Sequence, residues 1–100
     1  MARFDIYEDA LKDVDYLIDV QANFHDHLRT RIVVPLKTRE QLGEPISRLY
    51  VPMTVRAHEY YAVISLLTVI PASQLGKRVA SAANQSHEVT SAIDFLLQGF

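Results

Sequence analysis

Apolar and polar residues alternate over residues 4–7, Phe4-Asp5-Ile6-Tyr7, as in a strand that buries one face. An acidic, irregular stretch follows over residues 8–15, and β-branched runs at residues 16–20 and 31–36 predict a second and third strand. Residues 21–30 between them hold Asn23, Asp26 and two histidines, which suit an exposed loop. Pro35 is expected to end the third strand or place it at an edge, because proline has no N–H to give to a ladder. Arg39, Glu40, Gln41 and Leu42 favour a helical turn, stopped by Gly43 and Pro45. Residues 49–55 and 60–67 predict two more strands, with the polar Arg56-Ala57-His58-Glu59 as a hairpin loop. Residues 71–76, with Pro71 first and Gly76 last, are expected to form a short helical turn that closes the sheet region.

The period then changes. Val89, Ala92, Ile93, Leu96, Leu97 and Phe100 fall at helical spacings, so the chain is expected to end in a helix, capped by Asn84 or Ser86 and stopped by Gly99. Glu88 in its first turn complements the helix dipole. Burying each large side chain of this stripe contributes about 1.5–3 kcal/mol, so the helix should be docked on the sheet. Leu96, Leu97 and Phe100 crowd its far end, where termini are usually polar. That concentration fits either an interface or the completion of the core by Leu96 and Phe100.

Composition narrows the function. At 100 residues, with 49% hydrophobic and 22% charged residues, the chain is expected to form a single domain over residues 1–100 that folds without a ligand. It has no cysteine, hence neither disulfides nor thiolate metal sites. The N-terminal residues contain no secretory h-region, and no window approaches the ~18 apolar residues of a membrane span, so a cytoplasmic, non-membrane location is expected. A net charge of -2 lacks the excess of Lys and Arg that drives binding to phosphate backbones.

Candidate chemistry is sparse. His25-Asp26-His27 could be written as part of a metal site, but His58 and His87 lie in a predicted hairpin loop and at a helix start, with no spacing that pairs them with it. No metal or other cofactor is expected. There is no nucleophile elbow and no glycine-rich phosphate loop, because Gly43, Gly76 and Gly99 are far apart. Arg29, Thr30 and Arg31 are the only handle for the endoribonuclease chemistry that some small β-barrels host.

The order of segments carries more information than any one of them. Phe4-Asp5-Ile6-Tyr7, Val20-Gln21 after Asp19, and Arg31-Ile32-Val33-Val34-Pro35-Leu36 are followed by Leu49-Tyr50-Val51-Pro52-Met53 and the run 60–67. Ile70-Pro71, Gly76, Val79-Ala80 and a helix with Ile93, ending in Gly99 and a large apolar residue, complete the series. Over essentially its whole length this series resembles the CcdB family of toxins directed at DNA gyrase.

The resemblance implies a mostly β fold with a C-terminal α-helix, the SH3-like barrel shared with certain toxin ribonucleases. It is built of a twisted antiparallel sheet, a small accessory sheet and the helix. It further implies a non-enzymatic toxin of a type II toxin–antitoxin system: a homodimer that binds the dimerisation region of the gyrase A subunit and traps the enzyme on cleaved DNA. The implied partner is a CcdA-like antitoxin, which wraps the toxin with a disordered segment; the complex represses its own operon, so operator DNA is met only through the antitoxin. By position, the gyrase-binding residues fall on Phe24 and His25 in the loop after the second strand, and on Asp94, Leu97, Gln98, Gly99 and Phe100 at the helix end. Family toxins resembling the best-known member carry a tryptophan immediately before the final glycine, and this chain has Gln98 there. Losing an aromatic face that stacks on an arginine costs on the order of 2 kcal/mol of binding. An alternative expectation is therefore a family fold that binds an antitoxin without poisoning gyrase, and a more distant one is an endoribonuclease on the same barrel.

Overall fold

The computed structural model describes residues 2–25, 27–43 and 47–99. Among the described residues seven strands and two α-helices follow one another: β1 (Asp5–Asp9), β2 (Tyr16–Asp19), β3 (Thr30–Lys37), α1 (Arg39–Leu42), β4 (Tyr50–Val55), β5 (His58–Val63), β6 (Thr68–Pro71), β7 (Leu75–Ser81) and α2 (Ser86–Gln98). All pairings are antiparallel, in the order β4-β5-β3-β2-β1-β7, with β6 also on β3. The short α1 has its expected form. Thr38 and Gln41 make a reciprocal capping box, and Gly43 ends the helix in the left-handed region (φ 64).

Period-two alternation builds the core. Ile6, Ile18, Val34, Leu36, Val51, Met53, Val55 and Ala62 point to one face, where Val89 and Ala92 of α2 cover them. The opposite face is buried as well, through Leu17, Val33 and Ile70, with Val14 and Leu75 packed beside them. A sheet covered on both sides leaves little room for charges, yet Asp5, Asp9, Asp19 and Arg31 are buried on this second face. Asp9 is satisfied locally: its carboxylate accepts from the backbone N–H groups of Leu11, Asp13 and Val14 and from Gln74 Nε2, which organises the turn after β1.

Several expectations are corrected. Pro35 lies inside β3, opposite Leu17. The N–H and C=O of Ile32 face β2 and Gln21, so Pro35, an odd number of residues on, turns its nitrogen to the other edge. There the partner changes from β6, which ends opposite Val33, to β5, which begins opposite Leu36, so no ladder bond is lost. The expected strand over 60–67 stops at Val63, and a further strand not expected from the sequence begins at Thr68. After β5 a 3-10 turn (Ile64–Leu66) interrupts the chain, and β6 resumes along the same edge of β3 in a shifted register. The hairpin loop is only Arg56-Ala57, because His58 and Glu59 already pair with Val55 and Thr54.

The turn over 72–74 exists, but it leads into β7 instead of closing the sheet. β7 pairs with β1 around a register shift, where a side chain on Gly76 would come within 2.9 Å of the Glu8 carbonyl oxygen. Neither Asn84 nor Ser86 caps α2; a 3-10 turn (Ala83–Gln85) leads into it, and Gln85 occupies the cap position without a side-chain cap bond. Gln85 Nε2 instead donates to the Pro52 carbonyl at 2.6 Å. Leu49 O accepts from Ile64 N, so the odd residues of β4 face β5 and Pro52 points its N–H-less nitrogen outward, away from the sheet. The β4 edge is thus closed at its centre.

Arg56 (φ 50) and Ala57 (φ 67) both adopt the left-handed conformation that a two-residue hairpin turn demands. A side chain there costs on the order of 1 kcal/mol relative to glycine. Ala57→Gly is therefore expected to raise the unfolding free energy by about 1 kcal/mol, as measured by equilibrium urea denaturation.

Candidate functional site

The loop after β2 is fixed from beneath by a buried ion pair. Arg31 Nε and Nη2 donate to Asp19 Oδ2 at 3.0 and 2.6 Å, and both side chains are fully buried. The other oxygen of Asp19 accepts from Gln21 N at 3.0 Å, which turns the chain out of the strand. Gln21, itself buried, then spans the loop: its Oε1 accepts from Ile32 N and its Nε2 donates to the His25 carbonyl at 2.7 Å. Asn23 Oδ1 accepts from Arg3 N at 2.7 Å, and Arg3 Nε donates to the Val20 carbonyl.

A 3-10 turn (Asn23–His25) results, and at its apex Phe24 is 85% exposed. Its ring meets only the edge of His25, with centroids 5.2 Å apart and an interplanar angle of 89°. A phenylalanine held in water on a loop fixed by these hydrogen bonds forgoes about 1.5–3 kcal/mol of burial, as expected of an anchor for another molecule.

The second group lies at the end of α2. Val89 and Ala92 are buried and Ile93 packs against the core, but Leu97 is 71% exposed and Leu96 is also exposed. Leu96 therefore does not complete the core. Asp94, Gln98 and Gly99 are exposed as well, and Gly99 (φ 81) stops the helix by donating its N–H to the Phe95 carbonyl. Phe100 lies outside the described residues. The 3-10 turn Ile64–Leu66 packs on α2 and leaves Leu66 exposed. This residue was hidden in the sequence by the apolar run around it.

Among the described residues, no hydrogen bond, ion pair or ring contact joins the Phe24 turn to the helix end. Phe24 and Leu97 are the most exposed large apolar residues of the turn and of the helix end.

Of the triplet Arg29, Thr30 and Arg31, only the first two face solvent, because Arg31 is the buried partner of Asp19. No group of three or more metal-binding side chains occurs among the described residues. Asp26 lies outside them, His58 opens β5 instead of sitting in a loop, and His87 is on α2. No helix among the described residues is long and apolar enough to cross a membrane.

Two phenols are perturbed. Burial, then the carboxylates of Asp5 and Asp19, push the Tyr7 phenol above its ordinary value, partly offset by Arg31 and Arg78. Arg78 Nε pairs with Asp5 Oδ2 at 3.0 Å. Burial also raises Tyr60, helped by the hydrogen bond its hydroxyl donates to Asp15 at 3.1 Å.

The family model for the CcdB protein matches residues 3–99. Solved structures share the fold at low identity. An endoribonuclease from a mycobacterial species has 16% identity and a TM-score of 0.78, over 97% of this chain and 90% of that one. An endoribonuclease in complex with its cognate antitoxin, also from a mycobacterial species, has 16% identity and a TM-score of 0.79, over 97% and 94%. The Mycobacterium tuberculosis toxin MazF-mt6 has 17% identity and a TM-score of 0.78, over 93% and 95%. The mostly β half-barrel with a C-terminal helix is thus the barrel of these toxins, as the resemblance implied.

Two outcomes follow. Removing one partner of a buried pair strands the other charge, so Arg31→Met should cost about 3–5 kcal/mol in urea denaturation. Adding Asp19→Leu should restore part of that loss, since two apolar groups replace the pair. For the phenols, the folded state favours the neutral form. Their contribution is fully present below the ordinary value of 10.0 and is lost as pH rises through the raised folded values. Thermal unfolding followed across alkaline pH should show a smaller decline for Tyr7→Phe and Tyr60→Phe than for the unmodified chain.

Proposed function

Because the chain belongs to the CcdB family, we propose that it is the toxin of a type II toxin–antitoxin system and acts, without catalysis, by binding the A subunit of DNA gyrase and trapping the gyrase–DNA cleavage complex. The observation that carries this reading is the pair of apolar patches left outside a well-satisfied core. Phe24 projects from a turn tied by Gln21 and Asn23, and Leu97 projects from the end of a docked helix. Rigid aromatic and aliphatic anchors of this kind supply most of the energy of protein–protein association. His25, Asp94, Gln98 and Gly99 form the polar and backbone surroundings of the anchors, with Phe100 at the chain end. In this reading the chain acts as a homodimer, whose two copies together present the turn and the helix end.

Gln98 stands where family toxins resembling the best-known member have a tryptophan, so gyrase affinity rests more heavily on Phe24, Leu97 and Phe100. A CcdA-like antitoxin is the proposed cytoplasmic partner, through which operator DNA is met; a protein of the same fold is solved in complex with its cognate antitoxin. Retention of the antitoxin with loss of gyrase poisoning is the outcome that Gln98 would favour. An endoribonuclease is the second reading, since proteins sharing the fold carry that activity. The burial of Arg31 against Asp19 speaks against the triplet as its active site.

The test is binding to the dimerisation domain of gyrase A, with intact RNA offered in parallel. The gyrase reading expects micromolar or tighter binding, weakened by about 2 kcal/mol in Phe24→Ala and in Leu97→Ala with unchanged unfolding midpoints, and tightened in Gln98→Trp. Absence of binding in every form, together with cleavage of the RNA, would replace it with the ribonuclease reading.

A further inference from the structure

A groove of about 430 Å³ runs between β4 and α2, and neither Phe24 nor Leu97 lines it. Its lining is mainly apolar and includes Val51, Ala92 and Phe95. At one end the Arg48 guanidinium lies 4.0 Å from the centre of the Phe95 ring. Among the described residues no carboxylate pairs with this arginine, although it is exposed. Glu88 lines the same groove seven residues before Phe95, hence about 10 Å away along the helix. The groove therefore carries a cation at one end, an anion at the other and apolar surface between.

A strand cannot simply be added here. Pro52 offers no N–H at the centre of the β4 edge, and its carbonyl already accepts from Gln85. Whatever binds must do so through side chains. A guanidinium stacked on an aromatic ring is already oriented and weakly hydrated, so a carboxylate can meet it bidentately at little cost in side-chain freedom.

We propose that this groove docks a peptide segment of a partner protein, with a carboxylate on Arg48, apolar side chains over Val51 and Ala92, and a basic or amide group near Glu88. The complementarity of these two opposite charges with an amphiphilic segment selects this occupant. The inference rests on the toxin–antitoxin reading only in taking the antitoxin as the natural source of the segment.

The probe is a library of short random peptides displayed on phage, selected on the full chain and, in parallel, on Ser91→Trp and Arg48→Glu. Ser91 is exposed and lines the groove, so a tryptophan there fills it without entering the core. Peptides enriched on the unmodified chain should carry Asp or Glu beside Leu, Ile, Val or Phe. Made synthetically, they should bind Ser91→Trp at least about tenfold more weakly. Changing their carboxylate to an amide should weaken binding to the unmodified chain and make no further difference with Arg48→Glu. Unfolding midpoints check that both variants fold. Absence of enrichment, or peptides that bind Ser91→Trp equally well, overturns the proposal. So does a fall in the mass of the free protein in Ser91→Trp, which would make the groove a contact between two copies. The gyrase assay is separate: loss of gyrase binding with peptide binding intact removes the functional reading and leaves this one, and the reverse result does the opposite.

Discussion

The ion pair between Asp19 and Arg31 is the constraint on which the rest of the molecule turns. It joins the last residue of β2 to the start of β3, placing two opposite charges against each other on a buried face. Shifting either strand by one residue would send the charge to the opposite face, among Ile18, Val34 and Leu36, so the pair enforces the register of the central strands. Because Asp19 also holds Gln21, and Gln21 holds the His25 carbonyl, the same carboxylate fixes the exit angle of the loop that displays Phe24. Core geometry and surface display are thereby set by one contact.

Around that contact the chain divides its labour. One sheet face packs on α2, and the other is closed by Leu17, Val33, Ile70 and the segments beside them. Among the large apolar residues left exposed, Phe24 stands on a turn and Leu97 at a helix terminus, with Leu11, Leu66 and Val69 elsewhere on the surface.

The local parts of this architecture were legible in the sequence. Alternation located β1, β-branched and apolar runs located β2, β3 and β4, residues 39–42 with the Gly43 stop marked α1, and the change of period located α2. The rest depends on neighbours distant in the chain. β7 was invisible because its residues are largely exposed, with Gly76, Lys77 and Arg78 giving no apolar alternation. Arg31 looked solvated because nothing local shows that β6 and the residues beyond it cover that face. The break between β5 and β6 follows from both strands sharing one edge of β3, and Pro35 is tolerated at the same place for the same reason. The hairpin loop at residues 56–59 was expected, but not its shortening to Arg56-Ala57, because that turn carries neither glycine nor asparagine. For the candidate site, Phe24 and the helix end came from resemblance and prove to be exposed, whereas Leu66 and the stacking of Arg48 on Phe95 needed the fold.

Closure of the β4 edge by Pro52 and Gln85 reaches beyond the single molecule. A chain that keeps Phe24, Leu66 and Leu97 in water is at risk of clumping before any partner arrives, and open strand borders would let copies stack ladder on ladder into fibres. The β4 border lacks its central donor and has its acceptor occupied, and the β7 border carries Lys77 and Arg78. Borders blunted in this way are poor templates for a growing sheet, so side chains such as Phe24 and Leu97 can wait for a matching surface with less risk of ladder-on-ladder stacking.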